Sequence, residues 1–453
     1  MKIVIIGSGK IGTALTAKLS QENHDITVID SNAKILEQNM VKYDVMTVCG
    51  NGAVASVLRE ADTPHSDLVI AATSTDEVNI LVCTLAKRMG AKRTIVRVRN
   101  PEYFDQLHIM RRELGFSMTL NPDMDASREL FRLLQFPSFL KRETFAKGRV
   151  EIVELNIKKE SLLRGVPVTQ LYDYAKVHVL VCAVRRGDQT FIPDGRYVFE
   201  EGDRISVTAN SSDLTTMIRN LHLGGQKIRN VLIIGGSRTS FYLTKKLLRS
   251  KIQVKIIENN PQRCIELAAA LPGATIIQGD GTMPSLLQEE DIQSADAVLA
   301  MTSIDEENMI LSMYAKSQGV QTVIPKINRE ELLGISKTIG LETFINPKSL
   351  CCNNVVRYVR ALENTDGGSV ITLHRIADDS VEALEFMADE TTHHLNQPLS
   401  EIPIKKNIII ARINRCGDSF SPSGADYIAA GDLVIIAATS QQTLFDLNDI
   451  FEE

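Results

Sequence analysis

Apolar positions along this chain follow two rhythms. Residues 3–6 (Ile-Val-Ile-Ile) and 67–72 (Asp-Leu-Val-Ile-Ala-Ala) run with no alternating polar face, as strands buried on both sides of a parallel sheet do. Between such runs the apolar residues recur at helical steps. Ile11, Leu15 and Leu19 lie four apart, so the helix they predict buries one stripe against the sheet. Further strands are predicted at 25–30, 44–48, 94–99 and within 114–122, with helices over 53–61, from 73–79 onward and from Asn121-Pro122 onward. In that last helix Pro122 suits the first position, and Leu130, Leu133 and Leu134 form the stripe. Strands alternating with helices predict an α/β fold with a doubly wound parallel sheet.

The joint between the first strand and the first helix carries chemistry. Gly7, Gly9 and Gly12 stand in G-x-G-x-x-G spacing. The first permits the tight turn, the second lets backbone approach a pyrophosphate, and the third lets the helix pack closely, with its N–H groups facing the phosphates. The second strand ends on Asp30, 23 residues after Gly7, where an acid accepts hydrogen bonds from an adenosine ribose.

The pattern changes after Gln135. Phe-Pro-Ser-Phe-Leu-Lys-Arg (136–142) reads as a boundary, and 150–157, 179–185 and 204–209 are β-patterned, with turns at 186–188, 193–195 and 201–203. The whole arrangement then recurs with a period near 228 residues. Gly7 falls on Gly235 and Asp30 on Glu258; Thr73-Ser-Thr-Asp-Glu-Val-Asn79 matches Thr302-Ser-Ile-Asp-Glu-Glu-Asn308; Leu120-Asn-Pro122 matches Ile345-Asn-Pro347. Four domains are predicted: Rossmann-like lobes at 1–136 and 226–362, and small α+β lobes at 137–225 and 363–453.

The repeats differ at the phosphate loop, where the second reads Gly235, Ser237 and Ser240. A serine Cβ hinders close backbone approach, so the second lobe either binds nucleotide through Glu258 and Arg238 or is kept mainly for assembly. Ser74-x-x-Glu77 and Ser303-x-x-Glu306 are capping boxes. They also stand past a strand's carboxyl end, where open α/β sheets hold ligands, and both readings stand. Arg97 and Arg99, at the end of the fifth strand, either reach phosphates as planar forks or pair with a surface carboxylate; the second half offers Lys326. The candidate cofactor-binding residues are Gly7, Ser8, Gly9, Lys10, Ile11, Gly12, Asp30, Thr73, Ser74, Asp76, Arg97, Arg99, Gly235 and Glu258, with no catalytic or metal-ligating residue among them.

Bulk properties narrow the function. The chain has 453 residues, 44% apolar and 23% charged, with a net charge of −6. It holds no long basic block of the kind that neutralises nucleic-acid phosphates. No apolar run approaches the roughly 20 residues needed to cross a bilayer, and the N-terminus enters a strand with no signal-peptide pattern. Seven cysteines show no C-x-x-C; Cys351-Cys352 reads as packing, with a redox role as the alternative. His393-His394 lacks ligands at metal spacing.

A Rossmann lobe followed by a small β-rich lobe, repeated once, resembles the TrkA family, the peripheral subunits of bacterial Trk potassium uptake. The residues that carry the likeness are Gly7-Ser-Gly-Lys-Ile-Gly12, Asp30, Thr73 to Asn79 and Arg97-Val-Arg-Asn-Pro-Glu102, and it covers essentially the whole chain. The resemblance implies regulator-of-K+-conductance domains that bind NAD(H), with ATP or ADP as alternative ligands. It also implies a homo-oligomer, commonly a tetrameric ring, on the cytoplasmic face of the membrane beside the potassium-translocating subunit TrkH. On this reading the protein senses nucleotide and gates a transporter. Two alternatives use the same fold. A NAD-dependent oxidoreductase needs a substrate domain with a placed acid or base, and His24, His65 and His108 are scattered. A redox-sensing regulator of gene expression needs a DNA-binding element, and none is apparent.

Overall fold

The computed structural model describes residues 1–22, 24–135, 139–145, 150–223, 228–341, 343–365, 370–377, 380–439, 442, 444 and 446–452. The first lobe runs β1 (Lys2–Ile6), α1 (Lys10–Ser20), β2 (Asp25–Asp30), α2 (Ala33–Tyr43), β3 (Met46–Cys49), α3 (Ala55–Glu60), β4 (Leu68–Ala71), α4 (Asp76–Met89), β5 (Arg93–Arg97), α5 (Pro101–Leu114), β6 (Met118–Leu120) and α6 (Pro122–Gln135). Its sheet is parallel throughout, in the order β3-β2-β1-β4-β5-β6. The order reverses beside β1, which leaves a crevice at the carboxyl ends of β1 and β4, the place where open α/β sheets take ligands. The uninterrupted runs are buried as expected: Ile3 to Ile6 and Leu68 to Ala71 are each at most 3% exposed.

A small lobe follows: β7 (Phe139–Phe145), β8 (Val150–Asn156), α7 (Leu171–Ala175), β9 (Leu180–Arg186), β10 (Gln189–Phe191), β11 (Arg204–Asn210) and α8 (Ser211–Asn220), with an antiparallel sheet in the order β10-β9-β11-β8-β7. The second large lobe runs β12 (Asn230–Ile234), α9 (Arg238–Arg249), β13 (Gln253–Glu258), α10 (Pro261–Ala270), β14 (Thr275–Gln278), α11 (Pro284–Glu289), β15 (Ala297–Ala300), α12 (Asp305–Ser317), β16 (Thr322–Pro325), α13 (Glu331–Thr338) and α14 (Pro347–Thr365). Its five parallel strands repeat the first order, and the sixth shrinks to a single bridge between Lys326 and Ile345. The second small lobe holds β17 (Val370–Ile376), β18 (Val381–Met387), β19 (Ile408–Arg415), β20 (Asp418–Phe420) and β21 (Leu433–Thr439) in the order β17-β18-β21-β19-β20. The tandem α/β fold is therefore present in both halves.

Packing sorts these lobes into two units, Met1–Phe131 with Ile228–Val356, and Arg132–Lys227 with Arg357–Glu453. In the second unit the two antiparallel sheets share a core of small side chains. Cys182, Ala183 and Ile152 from one lobe meet Ala383, Ala411 and Ala437 from the other. An antiparallel sheet ordinarily keeps one face in water. Here β8 and β18 are buried along nearly their whole length, and the burial takes in Glu151, Glu154, Glu382 and Glu385. The boundary residues 136–138 and the junction at 224–227 lie outside the described residues.

Three local expectations shift. The third strand begins at Met46, because Asp44 takes a left-handed conformation (φ 42°) that ends α2. The fifth ends at Arg97, which puts Arg99 in the loop beyond it. The helix expected over 53–61 is α3, trimmed by the turn that Val54 and Asn51 close.

Each small lobe is braced by one arginine–aspartate fork. Arg186 donates through Nε and Nη2 to the two oxygens of buried Asp203 (2.8 and 2.9 Å), which also accepts from Tyr197 and the Glu200 N–H. Arg415 repeats the fork on Asp432 at 2.9 and 2.7 Å. Burial pushes the Asp203 carboxyl up, but the bonds from Arg186, Glu200 and Tyr197 outweigh it and hold the group below its usual 3.8. Removing Asp203 takes the acceptor from the Tyr197 hydroxyl, the Glu200 N–H and the Arg186 fork at once, so Asp203→Ala is expected to cost about 3 kcal/mol in a denaturant titration. A depressed folded-state pKa gives stability that is complete above the ordinary carboxylate range and lost as pH falls through the lowered value. The gap between wild type and Asp203→Asn should therefore be flat above about pH 5 and shrink below it.

Candidate functional site

The three glycines of the first loop do three different jobs. Gly7 sits at φ +97°, and a Cβ there would come within 2.8 Å of the Thr73 nitrogen. Gly12 lies so close to the turn that a Cβ would fall 1.8 Å from the Gly7 carbonyl oxygen. Gly9 has nothing within 4 Å of a built Cβ. Packing inside the protein accounts for the first two but not for Gly9, whose missing side chain leaves open the space in front of α1. That helix starts on Gly9 with no side-chain cap and no acidic residue in its first turn. Its leading N–H groups and the positive end of its dipole are thus free to meet an anion.

The other predicted residues surround this opening in different roles. Asp30 accepts from the Ser8 N–H (2.6 Å) and the Asn32 N–H (2.8 Å), so it stands at the loop while fixing the loop's shape. The Ser8 hydroxyl is turned inward and accepts from Asn39 at 3.0 Å. Lys10 is exposed at the helix start, and Ile11 is buried beneath it. Thr73 adjoins Gly7, and Ser74 lies exposed at the rim. Arg97 donates through Nη1 to the Thr73 carbonyl (2.7 Å), which places it over the end of β4. Its Nε is buried without a partner, and burial followed by the charge of Arg99 pulls the guanidinium below its usual value. Arg99 donates through Nε to Asp123 at 2.8 Å, and that carboxylate is only 12% exposed, an internal partner rather than a surface one.

The capping boxes are not formed. The helix cap is Thr75 in one lobe and Ile304 in the other, and neither makes a side-chain cap bond. The turn is closed by a buried asparagine instead. Asn79 accepts from the Thr73 N–H (2.8 Å) and hydroxyl (2.7 Å) and donates to the Arg97 carbonyl (2.9 Å), tying the ends of β4 and β5 together. Asn308 makes the same knot between Thr302 and Lys326. Asp76, at the first helical position, accepts from the N–H groups of Arg99 and Asn100 (2.9 and 2.8 Å), so its carboxylate holds the loop after β5.

The second loop is built alike but closed. Gly235 keeps the positive φ (+103°), and Glu258 accepts from the Gly236 N–H at 2.7 Å. At the place of Gly9 stands Ser237, whose hydroxyl accepts from the Ser240 N–H and caps α9. At the place of Gly12, the Ser240 hydroxyl donates to the Gly235 carbonyl at 2.6 Å. Arg263 donates to the Gly236 carbonyl at 2.9 Å. Lys326 has a mostly buried ammonium that reaches the Met301 carbonyl (3.3 Å), and burial pulls its pKa down. Donors that face outward in the first lobe are used internally here.

The two large lobes meet where the first site ends. Thr239, on the first turn of α9, donates to Asp123 (3.0 Å), and the Tyr242 hydroxyl donates to the Arg99 carbonyl (3.2 Å) and accepts from Asn121 (3.1 Å). Lys18 to Asn353 (2.6 Å) and Asn354 to Asp125 (3.0 Å) add two more bonds. Thr239 and Tyr242 are not visible in the sequence as site residues because their partners Asp123, Asn121 and Arg99 lie more than a hundred residues away, and Asp123 because it is shared with Thr239 across that distance. Asn79 and Asn308 could have been found, since both occupy the last position of the repeated seven-residue motif. Cys351 and Cys352 are buried in α14, and burial raises both thiols, Cys352 to about 11. Among the described residues no cluster of His, Cys, Asp or Glu fits a metal, and no helix is long and apolar enough to cross a membrane.

Comparison with known proteins bears on the family and the fold. The TrkA-N domain model matches residues 3–122 and again 231–347, and the TrkA-C domain model matches 152–222. A Trk system potassium uptake protein TrkA homolog of Archaeoglobus fulgidus is 31% identical over 97% of both chains. The Trk system potassium uptake protein TrkA of Halomonas elongata is 28% identical over 100% of this chain and 99% of that one. Among solved structures, the GsuK channel bound to NAD superposes with a TM-score of 0.63 at 18% identity, covering 97% of this chain and 77% of the other. The GsuK RCK domain gives 0.62 at 18%, covering 97% and 92%. At these identities the structural likeness speaks for the fold.

Gly12 and Gly9 should respond oppositely to a methyl group. Gly12→Ala forces α1 off β1 and is expected to cost about 3 kcal/mol or more. Gly9→Ala meets open space and should stay within about 0.5 kcal/mol of wild type in the same denaturant titration.

Proposed function

We propose, from the premise that the chain belongs to the TrkA family of Trk-system potassium uptake proteins, that its first lobe is the nucleotide sensor of a potassium transporter. The protein is a regulatory component of potassium transport and not an enzyme. The observation that carries the sensor reading is the uncapped start of α1 behind Gly9, a phosphate cradle kept free of side chains. In this reading the diphosphate lies on the first turn of α1, with Asp30 beneath the adenosine ribose and Lys10, Arg97 and Arg99 on the phosphate side. Thr73 and Ser74 form the rim, while Ser8, Ile11, Gly7, Gly12 and Asp76 shape the loops.

NAD(H) and ATP or ADP share an adenosine diphosphate moiety and so compete for one cradle. Their remainders, a nicotinamide riboside or a further phosphate, supply the differing contacts without which a ligand cannot bias a conformational equilibrium. Support for this ligand class comes from the related fold of the GsuK channel, solved bound to NAD and bound to ADP. The second lobe keeps Gly235 and Glu258, yet its helix start is capped by Ser237, so we assign it to assembly and response rather than to tight nucleotide binding. The partner is a TrkH-type membrane protein, met by a ring of tandem chains on the cytoplasmic side. The four domains are those delimited by the repeat, 1–136, 137–225, 226–362 and 363–453.

Titration calorimetry tests the site. NADH and ATP should each bind the wild-type chain and exclude one another. Gly9→Val, which adds bulk where only ligand would stand, should weaken both by about a hundredfold while the melting temperature holds. Asp30→Ala should weaken NADH by about tenfold through lost ribose bonds. Unchanged affinity in Gly9→Val would sink the assignment. Cross-linking in membranes that contain the native transporter should capture a multi-spanning potassium translocator.

A further inference from the structure

Arg99 is the hinge of a chain of bonds that leaves the first site and enters the second lobe. Its main chain is fixed on both sides, since the N–H donates to Asp76 (2.9 Å) and the carbonyl accepts from Tyr242 (3.2 Å). Only its guanidinium, 35% exposed, is free to change partner. In this structure that partner is Asp123, whose second oxygen accepts from Thr239 on α9. Asp123 is also the first charge felt by the mostly buried ammonium of Lys326, at the end of β16 in the second lobe. A carboxylate this enclosed does not stay without a cation. If Arg99 leaves, the second lobe holds the replacement.

We propose that Asp123 is a specificity-determining residue of the first-lobe site, competing with ligand phosphate for Arg99. A nucleotide with a free terminal phosphate draws the guanidinium away, whereas a dinucleotide, with only an internal diphosphate, leaves it on Asp123. The terminal phosphate concentrates charge that an arginine fork satisfies in two bonds, which the singly charged groups of an internal diphosphate do less well. Released from Arg99, Asp123 turns towards Lys326 while still held by Thr239, and the first turn of α9 follows. The self-capped start of α9 suits that task, because Ser237 keeps its leading turn rigid without a ligand. The ligand class thereby becomes a difference in how the two large lobes are bonded. This inference rests on the nucleotide-sensor reading above.

The test compares ATP with NADH on the full chain by calorimetry and reads amide hydrogen exchange in Arg238–Arg249. Asp123→Asn keeps an acceptor for Thr239 but removes the competing charge. It should tighten ATP by about tenfold (about 1.4 kcal/mol) and change NADH by less than about threefold. Arg99→Gln is expected to weaken ATP about tenfold more than it weakens NADH. In the wild type, ATP and not NADH should alter exchange in α9. Equal shifts for both ligands in the two variants, or α9 exchange indifferent to ATP, overturn the proposal while nucleotide binding by the wild type stands. A wild type that binds neither ligand overturns the sensor reading and this inference together.

Discussion

The approach of Gly12 to the Gly7 carbonyl is the constraint from which the first lobe's chemistry follows. With no side chain between them, α1 sits hard against the turn after β1, and its axis points into the crevice where the strand order reverses. The unpaired N–H groups of its first turn then have nowhere to go but the crevice. The second lobe meets the same demand by another route. A serine at the matching position brings a Cβ, and its hydroxyl satisfies the Gly235 carbonyl directly. One lobe therefore leaves its donors facing the crevice, and the other uses them within the protein. Two serines make the difference, on backbones that otherwise share strand order, asparagine knot and acidic anchor.

Much of this was legible in the chain because the governing interactions are local. Ile3 to Ile6 and Leu68 to Ala71 lie in continuous apolar runs, and a parallel strand covered on both faces admits no other pattern. The glycine spacing located the turn, and Asp30 followed at the expected distance. The repeat emerged because Gly235, Glu258 and Thr302 to Asn308 keep their offsets. Where two local patterns compete, spacing alone does not decide between them. Ser74 and Glu77 satisfy the letter of a capping box, but Asn79, two positions further on, closes the turn by binding Thr73 and Arg97 at once.

What the chain conceals is tertiary. Arg99 is visibly an arginine near a strand end; that its partner is Asp123, and that Asp123 is shared with Thr239, depends on how two lobes pack. Arg412 is hidden in the same way. It reads as one charged residue in a strand, yet it is 2% exposed, and among the described residues its guanidinium donates to Ser419 and Ser421. In the matching register the first small lobe has Ala183. A bulge at Ala411 sets that register, and no periodicity announces a bulge.

The serine-capped loop has a genetic corollary. When two identical subunits form a pair, every mutation strikes both copies, so neither can give up ligand without the other doing so. Joining the halves into one reading frame lifts that restriction, and each half accumulates changes on its own. Gly9 and Ser237 mark where the halves of this chain differ in that way: one leaves the start of its helix unobstructed, and the other fills the matching position with a capping hydroxyl.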